Sequence, residues 1–381
     1  MQRPSVLVIS FSPIHRDARV LREISAIAKV ADVTSIGYGQ TPPEVVEHIE
    51  IPSSASSLPQ TVSGVLKLGL RRWKAAELAA PATKVAIEKL RGRKFDLVVA
   101  NDARALPCAF AVNGDAPVWA DLHEYAPEER THVKVWKLLV APLMDHLCRQ
   151  YLPRCAATTT VGEEIAKLYQ ANYQVKPRLL RNTASYQELQ PTPVPDSGPI
   201  RLVHSGAAVY GRNLEATIEA VKQAGENYTL DLFLVKGNDG GKYYAQLQAA
   251  TKDCPRIRLC DPVAPADLPK TLNQYDVGVF WIPPFNTNAR LTLPNKIFDY
   301  IQARIGIAVG PTVEMQRLVT HYQMGTVSTD YEIDSIVECL RSITKEQVKE
   351  WKHHADRAAH EINFEVESRT IADIVTTLTS R

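Results

Sequence analysis

No stretch of the sequence approaches the ~18 uninterrupted apolar residues of a membrane span, so any bilayer contact is expected to be peripheral. Net charge is nearly absent: 44 Lys and Arg against 42 Asp and Glu leave +2, which gives no global attraction for nucleic acid. The six cysteines (Cys108, Cys148, Cys155, Cys254, Cys260, Cys339) form no C-x-x-C pair. That argues against zinc and disulfide frameworks and for a reducing compartment. No signal-peptide pattern precedes Val6–Ile9, so a cytoplasmic protein is expected. What is there is ordinary globular material, 45% hydrophobic and 23% charged. At 381 residues the chain is too long for one core and suits two domains.

Short apolar runs alternate with helical spacings throughout. In the first half, strands are expected at 5–10, 33–36, 97–100, 118–120 and 156–160, with helices at 16–29, 105–112 and 162–169 between them. The proline-rich segment 191–199 blocks helix and central strand alike and reads as a linker. The alternation then restarts, with strands at 201–204, 231–235, 257–259, 277–281 and 306–309, and helices at 214–224, 243–252, 266–275 and 295–303. Residues 345–380 read as two further helices. No internal repeat is evident. The pattern predicts an α/β protein of two Rossmann-like parallel-sheet domains, 1–190 and 200–363, facing a central cleft. Residues 364–381 are expected to cross back to the first domain.

The most informative stretch runs from Leu291 to Ala303. It follows the buried-strand run Asp276–Ile282 and opens a helix at Asn295 and Lys296, with Asp299 one turn further in. A helix N-terminus presents unpaired N–H groups and partial positive charge to a phosphate, and a carboxylate can accept from two vicinal hydroxyls. A plain helix start explains Asn295 and Lys296 as well. Gly206, after the run Arg201–His204, stands where a β-carbon would obstruct a phosphate. Arg212 follows it, and Lys236 lies in the glycine-rich turn Lys236–Gly241, which lacks Walker spacing. Asp121, His123 and Glu124 close one first-half strand; Asn101, Asp102 and Arg104 close another. D-x-H also invites a metal reading, but no third ligand cluster is visible.

Five places together resemble the GT-B glycosyltransferases, and in their residues the retaining family 4. They are Asp17–Glu23, Asp121–Glu124, Thr158–Glu163, His204–Gly206 with Arg212–Glu215, and Leu293–Tyr300. The resemblance covers nearly the whole chain. It implies a hexosyltransferase type of activity, moving a sugar from a nucleotide diphosphate sugar to a glycan or lipid-linked acceptor, with no cofactor or metal. The absence of D-x-D, the cation-binding pair of the other major transferase fold, agrees with this. It implies donor contacts from Gly206, Arg212, Lys236, Arg290, Asn295, Lys296 and Asp299, the last holding the ribose. It implies catalytic roles for His123, Asp121 and Arg212, and acceptor contacts from His15, Arg16, Asp102, Arg104 and Glu124. The chain departs from the family in four ways. Asp299 replaces the usual Glu, and Leu291 stands where a second Glu is usual. Ala207 stands for the usual Arg, and the loop 10–19 has no glycine pair. A nucleotide-sugar 2-epimerase using Asp121 and Glu124, or a non-catalytic subunit of the same fold, remains open.

Residues 63–94 hold nine basic residues against Glu77 and Glu88, with Leu66, Leu68, Leu70 and Trp73 interleaved. Such a segment can lie on the anionic inner face of a membrane or be a solvated cationic helix. No recognition motif points to nucleic acid.

Overall fold

The computed structural model describes residues 3–380. The chain divides into two compact units. One comprises the residues up to Arg181, Asn286–Asn288 and the residues from Glu367 on; the other comprises Asn182–Phe285 and Ala289–Val366. The division falls at Arg181/Asn182, and the proline-rich 191–199 segment lies inside the second unit without helix or strand.

The first unit is built on seven strands: β1 (Ser5–Pro13), β2 (Asp32–Tyr38), β3 (Glu47–Ile51), β4 (Leu97–Asn101), β5 (Val118–Leu122), β6 (Ala157–Thr160) and β7 (Arg178–Leu179). They form one parallel sheet in the order β3-β2-β1-β4-β5-β6-β7. Val6–Ile9 and Leu97–Ala100 are wholly buried, as strands covered on both faces must be. The sheet order reverses between β1 and β4, so the crevice at the carboxyl ends of those strands is where a ligand is expected.

The second unit repeats the plan with β8 (Ile200–Ala208), β9 (Tyr228–Lys236), β10 (Ile257–Cys260), β11 (Val277–Phe280), β12 (Gly306–Val309) and β13 (Gly325–Val327). Their order is β10-β9-β8-β11-β12-β13, again all parallel, with the reversal between β8 and β11. Gly278 on β11 leaves room for the ring of Tyr300, because a β-carbon there would lie 2.5 Å from it. That contact seats the helix Asn295–Gln302 against the sheet.

Three edge strands (β3, β7, β13) and the helices Val313–Tyr322 and Ile333–Arg341 add to the expected elements. The helix expected over 266–275 is only Leu268–Leu272, with Pro269 near its start. The basic stretch 63–94 is not one amphipathic helix. It forms three short helices, Val62–Gly69, Trp73–Ala76 and Pro81–Lys89, broken at Arg71, whose φ is 52°.

Candidate functional site

In the second unit, the reversal point between β8 and β11 gathers cations. Gly206 has φ 149°. A β-carbon there would lie 3.1 Å from Lys296 Nζ and 3.2 Å from Arg212 Nη1. The glycine thus opens a space into which two cationic groups project. Lys296 is the second residue of the helix Asn295–Gln302 and is only 7% exposed. Of the cations expected at the donor, Lys296 and Arg212 meet at Gly206, whereas Arg290 and Lys236 are not among the atoms nearest that point. Arg290 is exposed in the short helix Thr287–Arg290, and the Lys236 ammonium sits 5.3 Å over the Tyr244 ring.

His204 fixes the orientation of the lysine. Its Nδ1–H donates to Val279 O (3.0 Å), which leaves Nε2 as the acceptor facing Lys296 Nζ at 3.4 Å. Burial, then the Lys296 and Arg212 charges, hold the imidazole well below its ordinary pKa, so the ring is neutral. The ammonium also lies 3.8 Å from the centre of the Phe280 ring, a cation–π contact. Burial and the Arg212 charge push the Lys296 amine well below its usual range, with Asp299 opposing. Burial likewise lowers Arg212. Two desolvated cations at one point of a sheet's carboxyl edge, beside a helix N-terminus, are matched to a polyanion. Asp299 is half-buried one turn along, and Asn295 accepts from Asn182 Nδ2 at 2.6 Å.

In the first unit, the carboxyl ends of β4 and β5 form a second candidate site. Asp121, expected to be catalytic, is not presented to the pocket over His123. It is fully buried, receives Arg19 Nε and Nη2 at 2.7 Å each, and accepts from Thr159 Oγ1 at 2.5 Å. Burial pushes this carboxyl up, but Arg19 and His123 outweigh it and hold it well below the usual range. His123, 19% exposed at its side chain, has Nε2 2.9 Å from Asn101 Oδ1 and 3.2 Å from Asp121 Oδ2; Nδ1 is 3.6 Å from Asp102 Oδ2. Burial lowers its pKa; Asp102 and the Asp121 hydrogen bond outweigh that and raise it to about 9. At neutral pH His123 is therefore an imidazolium, a hydrogen-bond donor rather than a base.

A pocket of about 170 Å³ opens over this histidine, lined by Asp102, Arg104, His123, Glu124 and Glu129 among others. That is below the size of a drug-like ligand pocket and fits a few ligand atoms. Asp102 holds φ 64° and ψ 160°, a conformation that is essentially glycine's alone. Its Oδ1 accepts from His123 N at 3.2 Å. Arg104 Nη2 approaches Glu129 Oε1 at 3.7 Å. Glu124 sits at the exposed rim, where dehydration of its carboxyl, then Glu129 and Asp102, push its pKa up. Three of the five expected acceptor residues, Asp102, Arg104 and Glu124, thus line the pocket with His123; His15 and Arg16 do not.

 The His15 ring packs against Gly39 instead, where a β-carbon would lie 2.4 Å from it, and Arg16 is exposed on the turn Ile14–Arg16.

Sequence reasoning missed the groups beneath the pocket. Glu23 is buried; its Oε2 accepts from Asn101 Nδ2 at 2.8 Å, and its Oε1 has no hydrogen-bond partner. Burial, then the Asp121 charge, push this carboxyl up to about 8. Asn101 therefore turns its carbonyl to His123. Arg19 also donates to Leu180 O at 3.0 Å. The available signal was Arg19 and Glu23, four apart on the same helix as the buried Val20, Ile24 and Ile27. His204 stood in the sequence only as the first residue of the His204–Gly206 match, with nothing to show that it faces Lys296. Among the described residues, no group of three or more His, Cys, Asp or Glu is arranged to hold a metal ion.

No family model matches the chain, and no curated protein matches it in sequence. Solved structures do. HepE of Anabaena, in complex with UDP and glucose, is similar at 13% identity and TM-score 0.70, over 98% of this chain and 100% of that one. An α,α-trehalose 6-phosphate synthase of Burkholderia multivorans is similar at 12% identity and TM-score 0.69, over 100% and 99%. Sucrose-phosphate synthase of Thermosynechococcus elongatus is similar at 12% identity and TM-score 0.70, over 99% and 100%. At these identities the likeness establishes the fold, which is of the GT-B type with two parallel-sheet α/β domains.

Proposed function

We propose that this chain is a glycosyltransferase that moves a sugar from a nucleotide diphosphate sugar to a glycan or lipid-linked acceptor, with retention of configuration. The observation that carries the reading is the Lys296–Arg212 pair at Gly206, on the reversal point of the second sheet. A diphosphate there would be met by two cations and a helix N-terminus, which stabilise the charge that builds as the sugar leaves. No metal is needed for that role in this reading. Asp299 would accept from the ribose hydroxyls. That HepE was solved with UDP and glucose, on the same fold, supports the choice of donor class.

His123, as an imidazolium, would donate to a hydroxyl or developing negative charge of the sugar or acceptor, with Asp121 and Arg19 fixing its position. Asp102, Arg104 and Glu124 would contact the acceptor. The 2-epimerase alternative loses ground, because one of the two carboxylates it would use, Asp121, is buried and bound to Arg19.

Thermal-shift screening against UDP, GDP, ADP, TDP and CMP selects the base, since a tight binder raises the melting temperature by mass action. Turnover is then followed with the matching nucleotide sugar and a panel of acceptors. Transfer that falls at least about tenfold in Arg212→Ala supports the reading. A wild-type protein that binds none of the nucleotides, or a variant with full activity, would overturn it.

A further inference from the structure

The first unit carries an apolar and basic surface that neither candidate site uses. Among the described residues, fourteen large hydrophobic side chains are exposed, and seven of them fall in two short stretches. Val62, Val65, Leu66 and Leu70 belong to one; Val133, Val135 and Leu138 belong to the other. The structure joins the two stretches, because the helix Val62–Gly69 packs against the wide helical turn Trp136–Val140. Val62 is 91% exposed, Leu66 61% and Leu138 73%. Their neighbours Leu68 and Trp136 are buried, so each element is anchored by one face and bare on another.

Charge follows the same surface. Arg71, Arg72, Lys74, Lys134 and Lys137 are exposed around it, with Lys67 half-buried. Neither 59–76 nor 130–144 contains a single Asp or Glu. In a chain of net charge +2 this is a local field, not a global one. Scattered exposed apolar residues need no explanation, but a contiguous patch does.

We propose that this surface docks on an anionic phospholipid bilayer, with the Val62–Leu70 and Val133–Leu138 side chains at the acyl boundary and the surrounding Lys and Arg at the headgroups. The composition favours lipid over a protein partner. Protein interface cores are depleted in lysine and enriched in aromatics, whereas this patch is aliphatic and ringed by lysine and arginine. Long cationic side chains let their apolar stems lie along the patch while the charges reach phosphate. No helix among the described residues is long and apolar enough to cross a membrane, so the contact is with one face of the bilayer. The proposal is separate from the sugar-transfer reading, because vesicle binding is read without turnover.

The full chain is floated with vesicles of phosphatidylcholine, alone or with about a third phosphatidylglycerol. The wild type should float with the anionic vesicles and not with the neutral ones, and added salt should weaken the association. Leu66→Asp with Leu138→Asp, and separately Arg71→Glu with Lys134→Glu and Lys137→Glu, should each reduce the bound fraction by at least about tenfold. An unchanged melting temperature of the free protein shows that each variant is folded. Failure of the wild type to bind anionic vesicles overturns the proposal. So does binding that survives both sets of substitutions, or a concentration-dependent dimer that the Leu66→Asp, Leu138→Asp variant dissociates. Retention on RNA without retention on vesicles overturns it as well.

Discussion

Lys296→Met should separate ligand binding from folding. Nζ and Arg212 Nη1 both lie within 3.2 Å of one point beside Gly206, so no more than about 6 Å separates the two cations. At an effective dielectric constant of about 20, two full charges at that distance repel by ~3 kcal/mol. Removing the ammonium relieves that repulsion. It also removes the cation–π contact with Phe280, worth ~1–2 kcal/mol, and the donor facing His204 Nε2, worth ~1 kcal/mol. The terms nearly cancel, and methionine keeps the apolar stem. The unliganded protein should therefore change in stability by less than about 1 kcal/mol. A bound diphosphate should feel the loss in full. One charge-assisted hydrogen bond contributes about 1.5–3 kcal/mol, so the Kd for the nucleotide diphosphate should rise about 10- to 150-fold. Titration calorimetry and urea melts measure the two quantities. A second readout is pH. The depressed pKa of Lys296 should rise when the anion binds, so binding takes up a proton and wild-type affinity falls as pH rises. Lys296→Met should lose that dependence. Affinity within twofold of wild type, or a large loss of stability with unchanged affinity, would refute the reasoning.

Glu23→Gln should flatten the pH dependence of stability. The folded pKa, about 8, lies above the unfolded value, so the folded state holds a proton that the unfolded state has released between about pH 4.5 and 8. Wild-type stability from this group is present at low pH and declines as pH rises through 8; melting temperatures from pH 5 to 9 should show the variant gaining relative to wild type at the alkaline end. Asp102→Gly should be more stable than Asp102→Ala by about 1–3 kcal/mol, because only glycine adopts φ 64°, ψ 160° without strain. Both should lower the His123 pKa, read by NMR of the ring, since Asp102 is a main cause of its elevation. Asp299→Ala should weaken binding of a ribonucleotide diphosphate about tenfold while leaving binding of inorganic diphosphate unchanged; equal effects on both would remove the ribose role.

The central strands were legible because burial on both faces writes them as unbroken apolar runs. Val6–Ile9, Leu97–Ala100 and Gly306–Val309 needed nothing more. The edge strands were not legible. Glu47–Ile51 alternates polar and buried residues, and Arg178–Leu179 is only two residues long. Gly206, Arg212 and Lys296 were legible one at a time, from a glycine after a strand and cations near helix starts. Their meeting followed only from the family resemblance and not from spacing, because ninety positions separate the first from the last. His123 stood out, but the direction of Asp121 did not. Register puts Asp121 beside Asn101 and Thr159, and only the fold brings Arg19 over it from the first helix. The basic segment was visible as composition; its pairing with the Val133–Leu138 stretch depended on tertiary packing.

The most direct measurement is a crystal structure with the nucleoside diphosphate that gives the largest thermal shift. The diphosphate should lie over Gly206 between Lys296 Nζ and Arg212, with the ribose at Asp299. A nucleotide bound elsewhere, with Lys296 and Arg212 untouched, would contradict the account.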